Sequence, residues 1–170
     1  NKLINAGPVT TFSNYSIVSE NKCTKVHRNF PKDTGVVFGC AALTGMGMAL
    51  NEVNLKKSDD VLLIGFGGIG FFIYAAILSK KVNNLYILEN NKEKKKLLKK
   101  LKFNHIVSEY NYLKKKNKKF DYCFDATGSV KAIEHGFDLL KNKGTLIFAS
   151  HPPKNQKICL DPFELIKGKK

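Results

Sequence analysis

At 170 residues, 43% hydrophobic and 25% charged, the chain has enough apolar material for a sizeable core, which excludes disorder as the default. No apolar run of about 18 residues is present, and Asn1-Lys2-Leu3-Ile4 lacks the regions of a secretory signal, so a soluble cytoplasmic protein with no membrane partner is expected. The net charge of +15 raises nucleic acid as a partner, but the lysines crowd into Lys92–Lys102, Lys114–Lys119 and Lys167–Lys170 without interleaved aromatics, and Arg28 is the single arginine. These runs read as solvated faces, and no specific nucleic-acid partner is expected. Cys23, Cys40, Cys123 and Cys159 are widely spaced with no Cys-x-x-Cys, which argues against a disulfide framework or a self-contained zinc knuckle.

In chain order, Val9–Val18 alternates imperfectly between apolar and polar residues and suits a strand. Asn21-Lys22 makes a turn, and Cys23–Val26 a second short strand. Pro31 biases Phe30 away from helix, which marks Asn29–Asp33 as a connector close to a domain boundary. Val36–Val53 is apolar and punctuated by Gly39, Gly45 and Gly47, so a helix here must be broken or closely packed. Val61–Ile64 is a short apolar run of the fully buried parallel-strand kind, and Ile69–Leu78 is an apolar helix behind it. Leu85–Leu88 repeats the strand signal; Lys92–Leu101 is a helix with Leu97, Leu98 and Leu101 on one stripe. Strands follow at His105–Val107 and Phe120–Phe124, then an amphipathic helix over Val130–Leu140, the turn Asn142-Lys143-Gly144, and a strand over Thr145–Phe148.

Strands alternating with helices at this spacing predict an α/β fold: a Rossmann-type, doubly wound parallel sheet with right-handed crossovers. Such a dinucleotide fold usually has six strands. Only five are visible here, so the sheet is expected to be truncated at its C-terminus.

Gly65-Phe66-Gly67-Gly68-Ile69-Gly70 lies between the buried strand and its helix, the context in which G-x-G-x-x-G carries meaning. The first glycine permits the tight turn, the second lets backbone approach a pyrophosphate, and the third lets helix and strand pack closely. Glu89, 19 positions after Gly70, ends the next strand and can accept hydrogen bonds from a ribose diol. A carboxylate there repels a 2′-phosphate, which favours NAD over NADP, although Lys92 could meet such a phosphate. Adenosylmethionine-dependent methyltransferases share a glycine turn and an acid after the second strand. Gly70 favours a dinucleotide, and Asp125-Ala126-Thr127-Gly128 supplies none of the aromatic or Pro-Pro elements of a methyltransferase pocket.

Thr11-Phe12-Ser13-Asn14-Tyr15, Gly39-Cys40-Ala41-Ala42-Leu43-Thr44-Gly45-Met46-Gly47, Gly65–Gly70, Phe124–Gly128 and Gly144-Thr145-Leu146 occur in the order and spacing of the medium-chain zinc-dependent alcohol dehydrogenases. The chain resembles that family over nearly its whole length. The resemblance implies that residues 1–32 are the closing β remnant of a GroES-like catalytic domain and residues 33–170 an incomplete NAD-binding Rossmann domain. It further implies that Cys40 is a ligand of the catalytic zinc and that Thr44 lies against the nicotinamide. Gly65, Gly67, Gly68 and Gly70 correspond to the pyrophosphate turn, with Phe66 and Ile69 flanking it. Glu89 and Lys92 take the ribose positions, and Ala126, Thr127, Ser150 and His151 line the nicotinamide. Ser150 and His151 depart from the family's usual glycine and small apolar residue. Cys23, Cys123, Cys159, His27, His105 and His135 are read as nonligands.

The activity implied is NAD-linked hydride transfer between an alcohol, polyol or carbonyl substrate and nicotinamide, in a homo-oligomeric parent whose zinc keeps three protein ligands and one open position. Two of those ligands would lie upstream of Asn1, so the chain alone is expected to be inactive. The alternatives are a zinc-free NADPH quinone or enone reductase of the same superfamily, against which Cys40 and Glu89 speak, and a non-catalytic nucleotide-binding module.

Overall fold

The computed structural model describes residues 13–103 and 105–168. The first part of the strand expected over Val9–Val18, including Thr11 and Phe12, lies outside the described residues, as do Lys169 and Lys170 of the lysine tail. The chain divides into two compact units, Asn1–Val36 and Val37–Lys170.

In the first unit, a single 3-10 turn, Glu20–Lys22, stands where Asn21-Lys22 is expected to turn. Helix α1 (Lys32–Gly35) starts directly after Pro31, and the Phe30 ring packs so close to Gly35 that a Cβ there would meet it at 2.7 Å. No strand forms among the unit's described residues, which corrects the expectation for Ser13–Val18 and for Cys23–Val26. The backbone at Ser19 and Cys23 is extended. Extended backbone becomes a strand only where a neighbour takes up its N–H and C=O groups, and residues 13–29 are exposed with no such ladder.

The second unit carries the sheet. A 3-10 turn, Val36–Gly39, leads into α2 (Ala41–Leu50), after which β1 (Asp60–Ile64), α3 (Gly68–Ser79), β2 (Asn84–Leu88), α4 (Lys92–Lys100) and β3 (Ile106–Val107) follow. Then come α5 (Tyr110–Lys115), β4 (Phe120–Asp125), α6 (Val130–Asp138), β5 (Leu140–Phe148) and α7 (Pro162–Gly168). All neighbours pair in parallel in the order β3-β2-β1-β4-β5, with Ile64 opposite both Leu88 and Asp125. β1 is thus the central strand, and its alternate residues face opposite layers. Val61 and Leu63 join Ile73, Ile77, Ile87 and Phe124 on one side, while Leu62 and Ile64 join Phe120, Phe137 and Leu139 on the other. Burial on both faces is why the strand reads as an unbroken apolar run.

The apolar, glycine-rich segment before β1 does both things expected of it. It breaks at Cys40, and α2 then lies against α3 through Gly45, where a Cβ would sit 2.6 Å from the Ile69 carbonyl and 2.7 Å from Phe72 Cβ. Two local expectations need correction. The stripe on α4 is narrower than expected: Leu98 is fully buried, whereas Leu97 and Leu101 are 47% and 44% exposed. The turn at Asn142-Lys143-Gly144 does not precede the last strand but interrupts it. Phe120 faces Leu140 and Tyr122 faces Thr145, so Lys141–Gly144 form a wide bulge inside β5, with Lys143 at φ 64°. No disulfide forms among the described residues; Cys123 is buried in the core and Cys23, Cys40 and Cys159 are exposed. No single described helix is long and apolar enough to cross a membrane.

The bulge brings Lys141 to the amino ends of β1 and β4, where its ammonium donates to Asp60 at 2.7 Å and to Asp121 at 2.8 Å. Lys118 also reaches Asp60, at 3.3 Å, and Asp121 accepts the Asp60 N–H at 2.8 Å. Burial on its own would raise the Asp60 pKa, but hydrogen bonds from Lys141 and Lys118 outweigh it and hold the carboxyl below its ordinary 3.8. The folded value lies below the unfolded one, so this stabilisation is fully present above about pH 4 and is lost as pH falls through the folded value. Urea denaturation followed over that acid range should show the loss, and Lys141→Met should flatten it. Gly45→Val should lower the unfolding free energy by about 2–3 kcal/mol at neutral pH, because the added atoms force α2 off α3.

Candidate functional site

A cleft of about 530 Å³ opens where β1, β2 and β4 end, lined by Gly65–Gly67, Glu89, Asn90, Ala126 and Thr127. Parallel sheets of this order collect such a cleft because the crossover connections leave the central strand in opposite directions.

Each glycine of the first turn answers a different local demand. Gly65 has φ 89°, in the left-handed region, and a Cβ on it would meet Thr127 Cγ2 at 2.5 Å. On Gly70 a Cβ would lie 2.2 Å from the Gly65 carbonyl oxygen, so helix and turn touch through backbone. Around Gly67 the space is open: the nearest atom to a Cβ there would be Lys94 Nζ at 4.0 Å. No side chain caps α3, whereas the Asn91 carboxamide caps α4 by accepting the N–H groups of Glu93 and Lys94, both at 3.0 Å. An uncapped helix start above a space that one Cβ would fill suits a pyrophosphate.

Glu89 lies in the cleft wall but is only 4% exposed. Its Oε2 accepts the Phe66 N–H and its Oε1 the Asn91 N–H, both at 2.8 Å. The carboxylate therefore ties the glycine turn to the loop after β2. An ionised carboxylate has further lone pairs, so a ribose hydroxyl can still donate to it.

Asp125, fully buried at the end of β4, shapes the facing loop in the same manner. It accepts from Thr127 Oγ1 at 2.6 Å, from the Thr127 N–H at 3.2 Å and from the Gly128 N–H at 3.1 Å. Gly128, at φ 69°, lets Ser150 approach, since a Cβ on it would meet Ser150 Cβ at 2.8 Å and the His151 carbonyl at 3.3 Å. Ser150, half-buried, and His151, exposed, thus lie beside the loop Ala126–Gly128, but of these residues only Ala126 and Thr127 line the cleft.

Cys40 and Thr44 lie at the start of α2, and Ala41 Cβ is 3.9 Å from where a Cβ on Gly68 would be, so the first turns of α2 and α3 are neighbours. Thr44 is half-buried and donates its N–H to the Cys40 carbonyl at 3.0 Å. The Cys40 thiol is exposed, and no group of three His, Cys, Asp or Glu side chains capable of holding a metal exists among the described residues. One thiolate is not a zinc site. Phe66 turns its ring into the core against Tyr74, leaving its backbone to the cleft, and Ile69 is half-buried beside Gly45.

Lys92, exposed at the first position of α4, is not among the residues lining the cleft; Lys94 is. The Asn91 cap fixes where α4 starts and so which of its lysines turns toward the cleft. Lys131, Tyr110 and His135, none of them expected at the cofactor site, also line the cleft. Tyr110 and His135 stack in parallel at 3.8 Å, and the Tyr110 hydroxyl donates to Asp138, which also pairs with Lys114 at 3.3 Å. Burial holds the His135 pKa below its ordinary value, against the opposing charges of Asp138 and Glu134.

Fold and cleft together define a Rossmann-type α/β domain with a cleft at the carboxyl ends of its central strands. No protein-family model matches the chain. It is 26% identical over 171 residues to S-(hydroxymethyl)glutathione dehydrogenase of Komagataella pastoris and 26% identical to alcohol dehydrogenase class-3 of Drosophila melanogaster, in each case over 94% of this chain and 45% of the relative. The chain thus spans about half the length of the curated relatives it matches. Among solved structures, benzyl alcohol dehydrogenase from Acinetobacter calcoaceticus superposes with a TM-score of 0.76 at 20% identity, over 86% of this chain and 42% of that one. CAD from Helicobacter pylori, complexed with NADP(H), gives 0.74 at 20% identity, over 90% and 43%. By sequence the chain is similar to part of these alcohol dehydrogenases, and by fold it is similar to the nucleotide-binding region of zinc-type medium-chain alcohol dehydrogenases.

The role of Glu89 can be checked without any ligand. Glu89→Gln presents an NH₂ group to one of two backbone N–H donors and should lower the unfolding free energy by about 1–3 kcal/mol. A carboxylate serving only a ribose would leave urea denaturation of the ligand-free chain unchanged.

Proposed function

We propose that this chain binds NAD at the cleft beyond β1 and β2, as the nucleotide-binding portion of an alcohol or polyol dehydrogenase. The observation that carries the reading is the glycine turn itself: open at Gly67, uncapped at α3, and closed to any side chain at Gly65 and Gly70. In the whole protein the reaction is oxidation of a primary or secondary hydroxyl, or reduction of the matching carbonyl, and the substrate is an alcohol, polyol or carbonyl compound. The bound dinucleotide supplies the group that takes up or returns the hydride.

The chain's own residues hold and orient that cofactor. Backbone N–H groups at the start of α3 receive the pyrophosphate, with the Lys94 ammonium beside Gly67 adding positive charge. Glu89 keeps the Phe66 N–H in place and offers its remaining lone pairs to the ribose. Asp125 holds the loop Ala126–Gly128 that, with Ser150 and His151, borders the nicotinamide end, and Thr44 approaches from α2. Cys40 contributes one thiolate toward a zinc, whose other ligands belong to the catalytic domain of which residues 1–32 are the closing part; residues 33–170 form the Rossmann domain. Cytoplasmic location and homo-oligomeric assembly of the whole protein belong to the same reading.

Gly67→Leu tests it. The Cβ has room, so the fold should be kept, but the side chain fills the place of the pyrophosphate. NADH fluorescence titration should show binding to the chain and a rise in Kd of at least about tenfold in the variant. Equal binding by both proteins would remove the glycine turn from the cofactor site.

A further inference from the structure

The cleft carries an electrostatic feature that the position of Glu89 alone does not convey. A carboxylate after the second strand discriminates against a 2′-phosphate when it points free into the ribose site. Here both Glu89 oxygens accept backbone N–H groups and the residue is 4% exposed, so main-chain dipoles are aimed at its charge and the carboxylate is held in the wall. Among the residues lining the cleft Glu89 is the one acid, and two lysines, Lys94 and Lys131, line the same cleft. Neither lysine is in an ion pair with a described residue, in contrast to Lys96, Lys114, Lys118 and Lys141. Lys94 rises from α4 beside Gly67, Lys131 lies on α6 across the cleft, and Asn90 adds a neutral polar side chain next to Glu89.

We infer that the ribose end of this cleft accepts a 2′-phosphate, so that the chain binds NADP(H) as well as NAD(H), with Lys131 as a specificity-determining residue. This inference rests on the dinucleotide reading of the cleft. A 2′-phosphate brings close to two negative charges, and a lysine serves it as a point charge without needing bidentate geometry. With main-chain N–H dipoles aimed at the one carboxylate, the repulsion expected to exclude the phosphate is reduced, and the Lys131 ammonium, with Lys94 shared between the pyrophosphate and this end, supplies the attraction.

The test is to titrate the 170-residue chain with NADH and with NADPH at about physiological salt and to compare the two dissociation constants. The wild-type ratio should lie within about tenfold of one, Lys131→Ala should raise the NADPH Kd relative to the NADH Kd by about tenfold, and Lys131→Arg should restore it. Lys99→Ala, on the exposed face of α4, should leave the ratio unchanged. NADH binding with NADPH excluded would overturn the inference and leave the dinucleotide reading intact. A ratio that responds equally to Lys99→Ala and Lys131→Ala would also overturn it, because diffuse surface charge would then be responsible. Binding of neither nucleotide would overturn the dinucleotide reading and the inference with it.

Discussion

The contact on which the site depends is backbone against backbone: the first turn of α3 resting on the Gly65 carbonyl at Gly70. At 2.2 Å from that oxygen no Cβ fits, and the same residue type is needed at Gly65, where φ is positive and Thr127 crowds the far side. Because α3 starts this close to the end of β1, its uncapped start follows directly on the cleft-lining residues Gly65–Gly67. The same closeness recurs one layer out, where Gly45 lets α2 lie on α3 and brings Cys40 and Thr44 toward the glycine turn. A chain of small-residue contacts therefore runs from the central strand to the start of α2. Volume added at any link shifts every element beyond it.

Two buried acids complete the arrangement from the loop side. Glu89 and Asp125 end β2 and β4, the two neighbours of β1, and both direct their oxygens at backbone N–H groups of the loops flanking the cleft. Burying a carboxylate is costly unless its lone pairs are met, and these are met several times over by main-chain donors. The result is a pair of loops whose shape is set before any ligand arrives, and binding loses less conformational entropy when its partners are already ordered. Glu89 thus supports the turn as well as lining the cleft, two duties that the pattern of an acid after the second strand does not separate.

The order of strands and helices was legible because each signal was local. Val61–Ile64 is apolar throughout because it is central, and the glycine spacing could be placed between a strand and a helix. What escaped the reading depends on partners distant in sequence. Ser13–Val18 has strand-like composition, but no neighbouring strand takes up its backbone groups. The Asn142–Gly144 turn signal is real, yet β4 continues to pair with β5 on both sides of it, so it became a bulge. At the site, the residue types at Gly65, Gly67, Gly70 and Glu89 announced themselves. Tyr110 and His135, 25 residues apart, meet only through the packing of α5 and α6. That Lys94 lines the cleft and Lys92 does not is a matter of helical phase, set by the Asn91 cap at the start of α4.

The formal charge of +15 overstates the positive charge that is free to act. Lys118 and Lys141 clamp Asp60 and Asp121 beneath the sheet, Lys114 serves Asp138, and Lys95 donates to Ser108. These lysines are structural, and the stacked runs on α4 and α5 are mostly solvated. A diffuse basic surface of this kind draws any polyanion toward the protein and falls off within about a Debye length of 8–10 Å at ordinary salt. It raises encounter rates for a dinucleotide without distinguishing one from another. Selectivity has to come from the few groups inside the cleft, where lower dielectric makes a single ammonium or a single free carboxylate count for more than many exposed ones. That is why the orientation of one buried side chain, Glu89, outweighs the lysine count in setting what the cleft admits.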